Sequence, residues 1–195
     1  MSKCDNCPHP QDDICVGNFD VRHFTKEEVI ADIIAALKKL YKKDKELIER
    51  NINERCISAR FYAYFEQLRQ RKYPNLNIDP EYNKNGVRPK CYGLQEDRDT
   101  YAVPDVIIHK RNCNKHNNVY IEFKYLGNHP EADFFKLRNF TSNQWLPCVD
   151  GGDTKYAYQH GFSIAFDVNN VKFFYFTNGK GPLEQRTYNT SMWKI

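Results

Sequence analysis

Two short segments, Val103-Pro104-Asp105-Val106-Ile107-Ile108 and Tyr120-Ile121-Glu122-Phe123-Lys124-Tyr125, read as buried β-strands but carry three charged side chains. Val, Ile, Phe and Tyr suit a pleated, covered surface. An ionised carboxylate placed there without a partner costs several kcal/mol or more, so whatever fold the chain adopts must neutralise Asp105 and Glu122. Alternate residues of a strand share a face, so Glu122 and Lys124 project together, roughly 7 Å apart, while Ile121, Phe123 and Tyr125 point the other way. If the two strands pair through the polar stretch 111–118, Asp105 lies across from Glu122. Two acids opposed in this way repel. A hard divalent cation, Mg²⁺ or Mn²⁺, relieves that repulsion, because it takes carboxylate oxygens and water and leaves positions open for a phosphate. The Lys124 ammonium beside it can orient or deprotonate an attacking water, or neutralise charge on a phosphorane. The reaction class implied is metal-assisted phosphodiester hydrolysis.

The rest of the chain predicts a sheet with helices around it. Thr25 and Glu28 form a capping box, and Val29, Ile33, Ala36, Leu37 and Leu40 recur at helical spacing, which predicts a helix over 25–42. A second helix is predicted over 44–72, with an interruption near Asn51-Ile52-Asn53 and an end at Tyr73-Pro74-Asn75. Strands are expected over 77–82, 101–110, 119–125, 159–167 and 171–176, and a helix over 131–139 with Phe134, Phe135 and Leu137 as its apolar contacts. The order gives an α/β (α+β) layout around one mixed sheet. With 195 residues and 41% hydrophobic content, we expect an irregular arm over 1–20, a helical region over 21–52 and a core domain over 53–195. No apolar run approaches the ~20 residues of a membrane-spanning helix, and the first residues lack the apolar core of a secretory signal. A cytoplasmic protein with reduced cysteines is the expectation.

Further residues are candidates for the same site. Glu54 heads a stripe continued by Ile57, Phe61, Tyr64 or Phe65, and Leu68, so it faces the sheet and could complete the metal shell or anchor a ligand. The alternative is an acid favoured by the helix dipole. Glu81 follows the first predicted strand and could lie at the sheet edge near the site, as a supporting acid or a partner for Arg88 or Lys90, or be an ordinary surface acid. Lys136 could reach a phosphate, although most helix lysines only keep a face wet. Tyr158 could stack on a base or line the cleft, or belong to the core. The formal charge of +4 is concentrated at Lys38-Lys39, Lys42-Lys43, Lys45, Arg69, Arg71-Lys72 and His109-Lys110-Arg111. These form either a solvated surface or a phosphate-contacting one. Cys4, Cys7, His9 and Cys15 are chemically suited to zinc, but no second C-x-x-C completes the set, and zinc is not expected there.

Pro104-Asp105 followed by Glu122-Phe123-Lys124 resembles the PD-(D/E)xK signature of restriction-endonuclease-like nucleases, and the likeness covers roughly 53–176. The resemblance implies a site built from an acid on the first core helix, the Asp of the second strand, and the acid and lysine of the third. Here these are Glu54, Asp105, Glu122 and Lys124. It also implies that the main-chain carbonyl of Phe123 contacts the metal. The implied activity is Mg²⁺-dependent cleavage of nucleic acid, DNA in the first instance, with a homodimer as one way to cut both strands. A nuclease-fold module that binds nucleic acid without cleaving it is the alternative, and a protein-interaction unit is a third reading.

Overall fold

Thr25 and Glu28 start the first helix as the sequence predicts. The Glu28 N–H donates to Thr25 Oγ1 and the Thr25 N–H to Glu28 Oε2 at 2.9 Å, starting α1 (Lys26–Lys43). The computed structural model describes residues 23–85, 88–95, 98–111, 113–147 and 153–193. The arm with Cys4, Cys7, His9 and Cys15 lies outside them. The long second helix is broken where Asn51-Ile52-Asn53 suggested. After α2 (Lys45–Glu49), Asn51 takes a left-handed φ of 50°, which Asn tolerates better than most residues. Asn53 then caps α3 (Glu54–Glu66) by accepting the Arg55 N–H, and α4 (Arg69–Lys72) follows.

The strands are β1 (Asn77–Pro80), β2 (Lys84–Asn85), β3 (Arg88–Pro89), β4 (Cys91–Gln95), β5 (Arg98–Tyr101), β6 (Val106–His109), β7 (Val119–Tyr125), β8 (His160–Phe166), β9 (Asn170–Thr177) and β10 (Lys180–Asn189). Six of them form one mixed sheet in the order β1-β6-β7-β8-β9-β10. Only β7 and β8 pair in parallel, and α5 (Glu131–Thr141) lies in the crossover between them. The predicted strand over 101–110 is divided: Tyr101 ends β5, which pairs with β4, and the sheet strand begins at Val106 after Pro104.

Helices cover both faces. Ile33, Leu37, Phe61 and Phe65 of α1 and α3 meet Val106, Ile121, Phe123, Phe162 and Ile164 in one buried cluster. Leu137 and Phe140 of α5 meet Ile107, Tyr120, Tyr158 and Phe176 in another. The fold is therefore mixed α/β, with a six-stranded mixed sheet flanked by helices. No helix among the described residues is long and apolar enough to cross a membrane.

Candidate active site at the end of the β6–β7 ladder

The β6–β7 register pairs Val106 with Ile121, so continuing it sets Asp105 opposite Glu122 and Pro104 opposite Phe123. Proline has no N–H to donate, and regular pairing stops here. The Phe123 N–H donates instead to Asp105 Oδ2 at 2.7 Å. In a strand the N–H and C=O of one residue leave by the same edge, so the Phe123 carbonyl also faces this gap.

The face alternation expected of β7 is observed. Ile121 and Phe123 pack into the cluster under α1 and α3, while Glu122 turns to α5, where Lys136 Nζ donates to its Oε1 at 2.8 Å. Lys136 also meets Asp133 Oδ1 at 3.2 Å. Lys124 stands between Glu54 Oε2 at 3.4 Å and Asp133 Oδ2 at 3.7 Å. Four carboxylates (Glu54, Asp105, Glu122 and Asp133) thus share one region with two ammoniums. With every group ionised, two negative charges are left over.

The protonation equilibria carry the mark of that excess. Burial pushes the Glu122 carboxyl up, Lys136 opposes it, and the Asp105 and Asp133 carboxylates push it further, to about 8. Burial also raises Asp105, to about 6, against the Phe123 N–H and the nearby lysines. Burial works against the charged form of Lys124, yet Asp133 and Glu54 outweigh it and hold its pKa above the usual lysine value. Lys136 is raised in the same way, Glu122 and Asp133 overcoming its burial.

Glu54 has a different place from the one expected of a metal ligand. Its Oε1 accepts the Tyr125 N–H at 3.0 Å and the Asn128 amide at 2.9 Å, and its Oε2 faces Lys124. Burial alone would raise its pKa, but these donors bring it below the ordinary value. Among the described residues no three His, Cys, Asp or Glu side chains converge as a ready-made metal cage. What a cation would find is two desolvated carboxylates, Asp105 and Glu122, with the Phe123 carbonyl at the same gap. This all-oxygen set suits Mg²⁺ or Mn²⁺, ions that often keep several waters when one or two carboxylates hold them. The residues fit the ion by donor chemistry and by the excess of buried negative charge.

Other expectations are redistributed. Glu81 does not pair with Lys90, and the Arg88 side chain lies outside the described residues. It is exposed, takes a left-handed φ of 47°, gives its N–H to the Asp105 carbonyl, and meets Arg55 at 3.5 Å. Lys90 is instead buried among Tyr82, Tyr156 and Tyr158, with Nζ donating to the Lys84 carbonyl at 2.8 Å; burial lowers its pKa to about 7. Lys136 is not a freely solvated cation but a half-buried partner of Glu122. Tyr158 is core, packed edge-on against Tyr120 and Phe140. Of the basic segment His109-Lys110-Arg111, the first and last turn inward to Asp79. Sequence reasoning missed Asp133. Its signal was present, since Asp133 and Lys136 head an apolar stripe continued by Leu137 and Phe140, the same signature that pointed to Glu54.

The chain matches no family model, no curated protein and no solved structure.

Proposed function

We propose that this chain is a metal-dependent nuclease of the PD-(D/E)xK type with a restriction-endonuclease-like core, acting on DNA in the cytoplasm. The reading rests above all on one observation. The Asp105 and Glu122 carboxylates interact electrostatically just past the last β6–β7 pair, Val106–Ile121, beside the Phe123 carbonyl edge and with Lys124 next to Asp133. Asp105, Glu122 and the Phe123 carbonyl would hold the ion. Bound there, Mg²⁺ or Mn²⁺ supplies Lewis acidity toward a phosphoryl oxygen and lowers the pKa of a coordinated water.

The protein's own groups do the rest. Lys124, kept protonated by Asp133 and Glu54, serves as a fixed positive charge rather than as a base. It orients the attacking water and stabilises the charge that develops as the new P–O bond forms and the old one breaks. Glu54 positions Lys124 while gripping the Tyr125 backbone. Lys136 balances Glu122 and Asp133.

The test is a cleavage panel of plasmid, linear duplex, single-stranded DNA and RNA with Mg²⁺, comparing the native chain with Asp105→Ala and Lys124→Ala. Each substitution should lower the rate by about 10²–10³, the cost of removing one electrostatic stabiliser, with folding intact by circular dichroism. No cleavage of any substrate by the native protein would end the reading. The Lys136–Glu122 pair favours the alternative, because a satisfied buried ion pair also suits a module that binds DNA without cutting. That module would hold DNA equally well in EDTA. Cleavage of both strands of a duplex would need two copies or two encounters, and a homodimer is the simpler arrangement.

A further inference from the structure

The cluster of Glu54, Asp105, Glu122, Asp133, Lys124 and Lys136 is acidic, yet the substrate assigned to it is a polyanion. A divalent ion cancels the surplus and leaves the cluster neutral, without a pull of its own on a strand. Its two ammoniums are committed: Lys124 and Lys136 each bridge two carboxylates, and their side chains are only 28% and 15% exposed. A cation that draws phosphates to this edge has to come from outside the cluster.

Arg55 stands in the place for it. The first turn of α3 crosses the end of the sheet where β1 and β7 finish and β6 begins. On one side Glu54 Oε1 accepts the Tyr125 N–H of β7 at 3.0 Å. On the other, Arg55 Nε lies 3.5 Å from Oε1 of Glu81, the residue that follows β1. The Glu81 N–H donates in turn to the Asp105 carbonyl at 3.3 Å, so a single residue links the Arg55 guanidinium to the acid at the start of β6.

The pair itself is loose. The Arg55 side chain is 76% exposed and that of Glu81 49%, and an ion pair so open to water is weakly held. Glu81 can swing into solvent while its backbone stays tied to Asp105. A phosphate carries two oxygens in the geometry that a guanidinium fork fits, and it competes well against one solvated carboxylate.

We propose that Arg55 binds a phosphate flanking the one to be cleaved, and that Glu81 is its stand-in partner, displaced when a strand arrives. The identity of the cleaved phosphate rests on the nuclease reading. The substrate class that follows is a strand with at least one further phosphate beside the scissile one, not an isolated diester.

Two measurements test it: fluorescence anisotropy with a short labelled single strand and its duplex in EDTA over a range of salt, and steady-state cleavage of the same strands and of bis(p-nitrophenyl) phosphate in Mg²⁺. Arg55→Ala should weaken strand binding about tenfold, the loss of one charge-assisted contact, and reduce the log–log salt slope by about 0.7–0.9. In cleavage it should raise KM far more than it lowers kcat, with the effect confined to substrates that carry a flanking phosphate. Arg55→Lys, which keeps the charge and loses the fork, should recover part of the affinity. Glu81→Gln should tighten binding in the native background and have no effect beside Arg55→Ala. Lys180→Ala removes an exposed charge from β10, at the far edge of the sheet, and measures the general effect of net charge. Thermal unfolding checks that each variant is folded. Equal losses from Arg55→Ala and Lys180→Ala, an effect of Glu81→Gln that survives without Arg55, or a fall in bis(p-nitrophenyl) phosphate hydrolysis as large as that on strands would overturn the proposal. Arg55-dependent binding without cleavage of any substrate would end the nuclease reading and uphold the Arg55 contact, whereas strand cleavage indifferent to Arg55→Ala would do the reverse.

Discussion

Glu122 sits where a carboxylate is least welcome: fully covered, across from one acid and near another. In the metal-free protein its folded pKa of about 8 lies above the ordinary glutamate value of 4.5. The unfolded chain therefore releases this proton at lower pH than the folded one, and stability must fall as pH rises from about 4.5 through 8. A cation needs both Asp105 and Glu122 deprotonated, so its affinity should rise over the span from about 6 to 8, with proton release on binding. Urea midpoints against pH, and Mn²⁺ calorimetry in buffers of different ionisation enthalpy, check the two halves. Lys136 gives a sharper test. Lys136→Met leaves Glu122, Asp105 and Asp133 without their nearest cation and should cost about 3–5 kcal/mol, the penalty for breaking a buried pair. Millimolar Mg²⁺ or Mn²⁺ should recover part of that loss in urea denaturation, and no recovery would argue against an ion at this position. At this scale the sequence was legible where strand alternation decides direction, as for Glu122 and Lys124. It was not legible for Lys90 or Lys136, because lysines are rarely covered and the groups that cover these two, tyrosines for Lys90 and Glu122 for Lys136, come from other elements.

The elements explain how these groups are held. α5 lies directly on β8 at Gly161, where a methyl group would meet Thr141 Cγ2 at 2.8 Å and crowd Phe176 and Leu137. Gly161→Ala should therefore displace α5 and cost about 1–3 kcal/mol by overpacking. Because Asp133 and Lys136 ride on α5, metal affinity should fall as well. Thermal unfolding with and without Mn²⁺ checks both effects together. The sequence outlined α1, β7, β8 and β9 to within a few residues, since capping and apolar runs decide them locally. β10 escaped because it is an edge strand whose residues alternate between exposed and half-buried, leaving little hydrophobic signal. The β2–β3 and β4–β5 pairs use strands of only two to five residues, too short for an alternating pattern to announce their pairing.

For the whole molecule, the buried acids contrast with a net charge of +4. Lys38, Lys42 and Lys43 stay exposed on α1, while Lys72 turns to Asp32 and Arg111 to Asp79. If DNA binds, the exposed cations should give an affinity that falls with salt, with a log–log slope of about −0.9 per phosphate neutralised. Lys38→Glu with Lys42→Glu should flatten that slope in a filter-binding titration. A slope near zero in the native protein would leave these lysines as a hydrated surface only. Four of the six charged groups, Glu122, Lys124, Asp133 and Lys136, lie on β7 and α5, joined only by residues 126–130. That short connection is a caliper: lengthening it by two or three glycines at Gly127 should let strand and helix keep their own shapes while the jaws lose their gap.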